Sequence, residues 1–344
     1  MTNVGVDLAS ALVTGASGFL GRALVTELIK RQQSVRILAR DEKKARQLFG
    51  NAVTIIPGDI TDTVQVQQAV DGAKTIYHLA GRLYHPSIPT ELYYQTHVEG
   101  TRTLLKVCQG QAQLRRIVYV STTGVYGVTG ETPAAENAPF APTNPYEATK
   151  LVGEQLALKA YQEQDLPVAV IRPGLVYGSG DLHLLGLFVS IKKGLFRVID
   201  GGRALLHPVY IDDLVAALLL CAERPQAPGR SYNIAGARPV TIRELATAIA
   251  HALDRELPAG SIPLWLANLA SDIFAVMPGM KGERAPLTRS RVKFLTNSRI
   301  YDISRAKSEL GYVPTVDLEE GMKLTAAWYY KHRYLDDSLR RRIV

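Results

Sequence analysis

The amino-acid sequence predicts an α/β fold: a doubly wound parallel sheet with helices on both faces, followed by a smaller mixed C-terminal lobe. Between Ala11 and Arg172, six apolar segments of strand length alternate with amphipathic segments. Such alternation is typical of a parallel sheet that is buried on both faces. A glycine-rich turn follows the first apolar segment, and the alternation loosens after Gly174. Because such sheets bind ligands at the carboxyl ends of their strands, we expect the functional residues there.

The predicted elements follow this alternation along the chain. The predicted strands span residues 11–14, 35–40, 53–56, 75–80, 116–121 and 168–172. The helices predicted between them span residues 22–31, 41–49, 64–70, 96–108 and 146–162. Beyond Gly174, a short strand at 231–234 and a last helix at 318–332 interrupt less regular sequence.

The composition is that of an ordinary globular protein, with 47% hydrophobic and 21% charged residues among 344. The two cysteines, Cys108 and Cys221, lie in apolar segments, so we expect no disulfide framework and a reducing, cytoplasmic compartment. Much of the net charge of +8 lies at residues 281–293 and 340–342, and it agrees with an anionic ligand, a membrane surface or simple solvation. No signal peptide, nucleic-acid motif or metal site is predicted.

Three glycines between the first strand and the first helix form a Gly-x-x-Gly-x-x-Gly pattern. Glycine allows a tight turn, and the N–H groups and positive dipole end of the following helix suit a pyrophosphate. The residues predicted to hold a dinucleotide here are Gly15, Ser17, Gly18, Phe19, Leu20 and Gly21. The alternative is a glycine-rich turn that binds nothing.

The end of the second predicted strand indicates which dinucleotide is bound. No acid stands at its tip, where an acid would bind the adenosine ribose hydroxyls, and Arg40 is present instead. A guanidinium suits a 2′-phosphate, so we expect NADP(H) to be preferred and NAD(H) to be the alternative, with Arg22 assisting Arg40. Asp59 and Ile60 follow the third strand, where the carboxylate either accepts a hydrogen bond from the adenine or caps a turn.

Tyr146 and Lys150 are four residues apart on a predicted helix and therefore share one face. A neighbouring cation lowers the pKa of a phenol, which is otherwise near 10. We therefore expect Tyr146 to exchange a proton with a carbonyl or carbinol oxygen while hydride moves to or from nicotinamide, and Lys150 also to hold the ribose. A hydroxyl of residues 121–123, at the end of the fifth strand, is expected to bind the reacting oxygen.

Together these features resemble the extended short-chain dehydrogenase/reductases of the NAD-dependent epimerase/dehydratase superfamily, which have a Rossmann fold. The matching segments are residues 14–21, 78–81, 120–127, 146–150, 172–178 and 210–214. The resemblance implies that Thr122, Tyr146 and Lys150 are catalytic. It further implies cofactor contacts from Leu79, Ala80, Gly81, Pro173, Gly174 and Val176.

The loosening of the alternation after Gly174 predicts a division into two domains, and the resemblance marks one departure. Residues 1–174, with a later return near 205–235, would bind the dinucleotide, and residues 175–344 would form mainly the substrate-binding lobe. His97 stands where the family usually has asparagine, and we expect it to replace a structural hydrogen bond rather than to act in catalysis.

The substrate is indicated mainly by what the family's sugar-nucleotide enzymes have and this chain lacks. Those enzymes usually carry an asparagine after the sixth strand and an arginine at the position of Leu206, although Arg203 lies close by. The dehydratases carry an Asp-Glu pair where this chain has Thr123 and Gly124. The segments 285–288, 299–306 and 310–314 instead resemble 3β-hydroxysteroid dehydrogenases and 2-alkyl-3-oxoalkanoate reductases.

An apolar segment at 262–280 has roughly helical spacing. It is expected to be a core helix, a wall of an apolar substrate pocket, or a helix on a membrane surface with Lys281 and Arg284 near headgroups.

We therefore predict an NADP(H)-preferring oxidoreductase acting on a ketone or secondary alcohol of a bulky apolar small molecule. The alternatives are a sugar-nucleotide epimerase and a cofactor-binding protein without turnover. A homodimer through helices 96–108 and 146–162 is also expected.

Overall fold

The computed structural model describes residues 10–277 and 287–336. The strands within these residues are β1 (Ala11–Thr14), β2 (Val35–Ala39), β3 (Thr54–Pro57), β4 (Thr75–His78), β5 (Arg116–Val120), β6 (Val168–Pro173), β7 (Leu175–Tyr177), β8 (Leu205–Leu206), β9 (Pro208–Tyr210), β10 (Ser231–Ile234) and β11 (Val240–Thr241). The α-helices are α1 (Phe19–Lys30), α2 (Glu42–Phe49), α3 (Thr63–Val70), α4 (Thr90–Tyr94), α5 (Gly100–Cys108), α6 (Pro145–Gln164), α7 (Leu185–Lys192), α8 (Ile211–Glu223), α9 (Ile242–Ala252), α10 (Leu264–Val276), α11 (Arg289–Thr296) and α12 (Leu318–Lys331).

Seven strands form one parallel sheet in the order β10-β6-β5-β4-β1-β2-β3, which confirms the predicted doubly wound fold. The inner strand β1 is fully buried, and its Val13 pairs with Ile37 of β2 and Tyr77 of β4. The strand order reverses between β1 and β4, which opens a crevice at their carboxyl ends. After residue 205 the chain returns to this sheet, because β10 pairs with β6.

Helices cover both faces of the sheet, and a second core lies beside it. On one face, α1 and α8 pack together, with Leu24 and Leu218 fully buried. On the other face, α5 packs against α3 and α6, around Leu104. The mixed lobe packs α7, α9 and α12 around a separate core that contains Phe188 and Tyr329, whose rings meet edge to face at 5.0 Å. These layers leave the carboxyl edge of the sheet facing the lobe.

Two helices begin several residues earlier than predicted. Helix α1 starts at Phe19 rather than near Arg22, because the turn is already closed by the bond from the Gly18 N–H to the Gly15 carbonyl (3.0 Å). The predicted helix 96–108 starts at Thr90 as α4 and continues through a π-helical turn, Gln95–Glu99, into α5. That turn buries His97.

Helix α10 is not the core helix that was one of the three expectations for segment 262–280. Only Ala267 and Ser271 are buried in it, and among the described helices α11 packs most extensively against it. Within the described residues no helix is both long and apolar enough to cross a bilayer. Residues 278–286 and 337–344 are outside the described part of the chain, and with them Lys281, Arg284, the first half of segment 285–288 and the cations at 340–342.

Candidate active site

A cavity of about 1490 Å³ lies at the carboxyl ends of the sheet strands and extends to α10 and α11. With the exception of Arg22, every residue that the sequence assigns to the cofactor or to catalysis lines it. They are Gly15, Ser17, Gly18, Phe19, Leu20, Gly21, Arg40, Asp59, Ile60, Leu79, Ala80, Gly81, Thr122, Tyr146, Lys150, Pro173, Gly174 and Val176. The structure therefore brings these predicted positions to one site.

The glycine turn is packed too closely for side chains. Gly15 has φ +73°, and a Cβ there would lie 2.7 Å from the carbonyl carbon of Leu79. A Cβ on Gly21 would lie 2.2 Å from the carbonyl oxygen of Gly15. Helix α1 begins here without a side-chain cap, so its first N–H groups lie at the cavity wall with no side chain to satisfy them. Such a helix terminus has the geometry of an anion site.

At the far end of the cavity, Arg40 and Asp59 lie together. The Nε atom of Arg40 is 3.9 Å from the Oδ2 atom of Asp59, and both side chains are exposed. Oδ1 of Asp59 accepts hydrogen bonds from the backbone N–H (3.0 Å) and hydroxyl (2.8 Å) of Thr61, so this carboxylate also caps its turn. The predicted assistance from Arg22 is wrong, because its side chain lines a separate cavity of about 530 Å³ bordered by α1 and α8.

The three hydroxyl side chains that follow β5 differ in their hydrogen-bond partners. Thr123 donates to the Pro173 carbonyl at 3.0 Å and is thereby occupied. Thr122 accepts from the Gly124 N–H at 3.0 Å and is hydrogen-bonded to the phenol of Tyr146. The buried Ser121 hydroxyl, also at the cavity, has no hydrogen-bond partner among the described residues. Thr122 is thus the hydroxyl adjacent to Tyr146.

The expected effect of Lys150 on Tyr146 is not found. Burial raises the pKa of Tyr146 to about 12, opposed only by its hydrogen bond with Thr122. The ammonium group of Lys150 instead donates to the Val120 carbonyl and lies 4.6 Å from the centre of the Tyr119 ring. Burial also lowers the pKa of Lys150 to about 7, which weakens any effect of its charge on the phenol.

His97 supports the tyrosine from behind, as a structural role requires. Its Nε2 accepts from the Arg82 N–H (3.0 Å), so Nδ1 carries the proton and donates to the Thr149 hydroxyl (2.8 Å). Its ring meets that of Tyr146 edge to face at 5.5 Å. Burial lowers the pKa of His97 to about 2, so the ring stays neutral. His97 therefore ties α6 to the loop after Gly81 through uncharged hydrogen bonds.

A second histidine, His78, fixes the ends of β1 and β4. Its Nδ1 accepts from the Thr14 hydroxyl at 2.7 Å, and its Nε2 faces the Thr101 hydroxyl at 3.1 Å. The Ala80 N–H donates to Thr14 at 3.2 Å. The role of His78 is not predictable from the sequence, because a buried structural histidine has no distinctive sequence pattern.

The outer part of the cavity is apolar, with cations near the surface. Its apolar wall is made by residues of α7, α10, α11 and the loops beside them, including Leu184, Leu187, Phe196, Ile199, Ile262, Phe274, Leu287, Phe294 and Leu295. Lys193, Arg197 and Arg291 line the same part, whereas Arg203 does not. Sequence reasoning missed these cations, because they come from segments far apart in the chain.

Fold and site together define a dinucleotide-binding enzyme with a Tyr–Lys–Thr centre. The sequence profile described as the NAD dependent epimerase/dehydratase family matches residues 11–235. The chain belongs to this family, and it is an NAD(P)-dependent oxidoreductase of the extended short-chain dehydrogenase/reductase type.

Relatives of known function cover most of the chain. It is 32% identical to 3beta-hydroxysteroid-dehydrogenase/decarboxylase isoform 1 of Arabidopsis thaliana, in an alignment that covers 91% of this chain and 78% of that protein. It is 30% identical to a 2-alkyl-3-oxoalkanoate reductase of Shewanella oneidensis, in an alignment that covers 92% of this chain and 85% of that protein. Among solved structures, UDP-glucuronic acid 4-epimerase of Bacillus cereus in complex with NAD superposes with a TM-score of 0.75 at 22% identity, covering 94% of this chain and 99% of that one. That likeness shows the fold.

Proposed function

We propose that this protein is an NADP(H)-preferring reductase that interconverts a ketone and a secondary alcohol on a bulky apolar substrate, of the steroid or β-keto/hydroxy type. One observation carries the proposal: the cavity that contains Tyr146 and Thr122 continues into the apolar wall at α7, α10 and α11. A pocket of this kind favours an apolar skeleton whose single polar group reaches the tyrosine. The relatives named as hydroxysteroid dehydrogenase and oxoalkanoate reductase support the same class.

The residues present fit a nicotinamide dinucleotide. The close-packed glycine turn and the uncapped start of α1 would hold the pyrophosphate. The unpartnered hydroxyl of Ser121, on the cavity side of β5, would find a partner in a polar group of the ligand. Lys150 would hold the ribose, and residues 173–176 would border the nicotinamide. When bound, the cofactor supplies the hydride for reduction or accepts it for oxidation.

The residues of the chain supply the proton and the orientation. Because burial holds its pKa near 12, Tyr146 is protonated at neutral pH and is suited to donate its proton to a carbonyl oxygen. Thr122, hydrogen-bonded to the same phenol, would orient that oxygen. His97 and Thr149 fix the turn of α6 that carries Tyr146. The protonated form of Tyr146, which burial favours, is therefore the form that ketone reduction requires.

Arg40→Ala is expected to lower the ratio of kcat/KM with NADPH to that with NADH by about ten- to a hundred-fold. The reason is that a 2′-phosphate would lose the Arg40 guanidinium just beyond β2, while NADH would lose little. Steady-state kinetics with each cofactor measures the ratio. Lys43→Ala, an exposed cation on α2 that does not line the cavity, is the matched control. An unchanged ratio in Arg40→Ala would contradict the NADP(H) preference.

The second candidate function is a sugar-nucleotide epimerase. Lys193, Arg197 and Arg291 favour it, since cations at the outer cavity suit a diphosphate. A relative, the N-acetyl-alpha-D-glucosaminyl-diphospho-ditrans,octacis-undecaprenol 4-epimerase of Escherichia coli O157:H7, is 25% identical over 95% of this chain. Turnover assays that compare UDP-sugars with steroid and long-chain keto substrates discriminate the two. The reductase predicts net cofactor oxidation only with the apolar ketones, and absence of turnover on both sets with NADPH bound would favour a protein that only binds cofactor.

We also propose a homodimer through α5 and α6, which pack against each other and expose Val152 at their surface. Light scattering of the purified protein measures its mass, and a monomer would contradict the proposal.

The cytoplasmic location stays a prediction. Both cysteines are buried and unpaired, as a reducing compartment would leave them.

A further inference from the structure

Helix α10 presents an apolar surface that the rest of the described chain does not cover. The outward residues Trp265, Leu269, Ile273 and Val276 recur at helical spacing and form what we call the α10 face. Trp265 is 68% exposed and Val276 77% exposed, while Leu269 and Ile273 are each about half exposed. Monomeric soluble proteins rarely leave such a contiguous apolar stripe in water, so a partner is expected to cover it.

Cations predominate among the charges around the α10 face. Asp272 is the single acid in segments 261–277 and 287–297, and Arg289 neutralises it through an ion pair of 2.6 Å. Lys293 is an exposed cation on the neighbouring helix α11, and the exposed Lys193 and Arg197 lie in a loop that lines the same cavity as Phe274 of α10. An apolar stripe bordered by cations is the arrangement of helices that lie on anionic lipid.

The opposite side of α10 belongs to the cavity. Ala270 and Phe274 line it, together with Phe294 of α11 and Leu195 of the adjoining loop. Leu195 is 70% exposed, so the cavity reaches the surface beside the α10 face. One helix therefore borders both the mouth of the cavity and the uncovered apolar surface.

We propose that the α10 face docks on an anionic lipid bilayer, so that the mouth of the cavity opens onto the lipid. A second copy of the chain is the weaker occupant, because a two-fold contact through this face would bring like charges together. The step from lipid to cavity rests on the proposed function, since it requires an apolar substrate. Docking of the helix on lipid does not depend on the proposed function, and it is measured without substrate.

Sedimentation with lipid vesicles tests the docking. The full chain is expected to bind vesicles of phosphatidylcholine with added phosphatidylglycerol, and to bind phosphatidylcholine alone at least about ten-fold more weakly. Ile273→Glu/Val276→Glu should reduce binding to the anionic vesicles by about ten-fold or more. Val64→Glu is the matched control, because Val64 is 67% exposed on the distant helix α3. No vesicle binding by the native chain, or equal binding by the double variant, overturns the proposal.

Fluorescence places the helix in the lipid. The chain contains two tryptophans, so Trp328→Phe leaves Trp265 as the sole emitter. Anionic vesicles should shift its emission to the blue, and brominated lipids should quench it. If that variant does not fold, the difference between the native protein and Trp265→Phe gives the same spectrum. Unshifted and unquenched emission, or a dimer that forms without lipid and that Ile273→Glu/Val276→Glu abolishes, overturns the lipid assignment.

Kinetics separates docking from the proposed function. A ketone dissolved in anionic vesicles should be reduced faster by the native chain than by Ile273→Glu/Val276→Glu, while a water-soluble ketone is reduced equally by both. Equal rates in both assays would overturn entry from lipid. Vesicle binding without turnover of any ketone would leave docking intact and contradict only the proposed function.

Discussion

Tyr146→Phe is expected to lower kcat for ketone reduction by about 10²- to 10⁴-fold, the usual contribution of a positioned general acid. The substitution removes the phenolic proton and keeps the ring that packs against His97 at 5.5 Å. Cofactor affinity should change little, because the glycine turn and Lys150 are untouched. Stopped-flow hydride transfer and cofactor titration measure the two effects separately.

Tyr161→Phe is the matched control for this prediction. It is the same substitution on the same helix, α6, at a partly exposed position that does not line the cavity. Its kcat should equal that of the native protein. Near-normal turnover by Tyr146→Phe would refute the proton-transfer role, and loss of both turnover and cofactor binding would indicate a purely structural one.

Glu154→Gln is expected to lower the free energy of unfolding by about 3–5 kcal/mol, because it leaves a buried guanidinium without its counter-charge. Glu154 and Arg172 are almost fully buried, and the Arg172 Nε donates to both carboxylate oxygens at 2.9 and 3.1 Å. Arg172 also donates to the Glu136 carbonyl at 2.9 Å and to the Tyr126 hydroxyl. Urea unfolding monitored by circular dichroism measures the loss.

The same helix supplies the control for Glu154. Glu163 forms an exposed ion pair with Lys159 at 3.6 Å, so Glu163→Gln should change stability by less than about 1 kcal/mol. Replacing both members of the buried pair with apolar residues, as Glu154→Leu/Arg172→Met, should cost less than Glu154→Gln alone. A loss below about 1 kcal/mol in Glu154→Gln would show that the pair is not a main source of stability.

The sequence predicted the sheet and the cofactor end of the site well, because both follow from local patterns. Apolar runs mark the strands, and the spacing of Gly15, Gly18 and Gly21 places the turn beside β4. Tyr146 and Lys150 share a helix face, which a four-residue spacing fixes. All of these residues line one cavity.

Features that depend on contacts between distant segments were not predictable. The expected lowering of the pKa of Tyr146 was wrong, since only the fold shows that Lys150 is directed to the Val120 carbonyl and that burial dominates. The cations of the outer cavity come from a loop after α7 and from α11, which no motif connects. The spacing of α10 is that of a core helix, yet Trp265 is exposed, because packing rather than periodicity decides burial.

Transfer of deuterium from nicotinamide-labelled NADPH tests the central claim most directly. The protein is incubated with cofactor labelled at either face of C4 and with apolar ketones or UDP-sugars, and the released products are analysed by mass spectrometry. The proposed function predicts one deuterium at the carbinol carbon of a released apolar alcohol, with one cofactor oxidised for each product formed. Inversion of a UDP-sugar without net cofactor oxidation, together with no label in any apolar product, would contradict it.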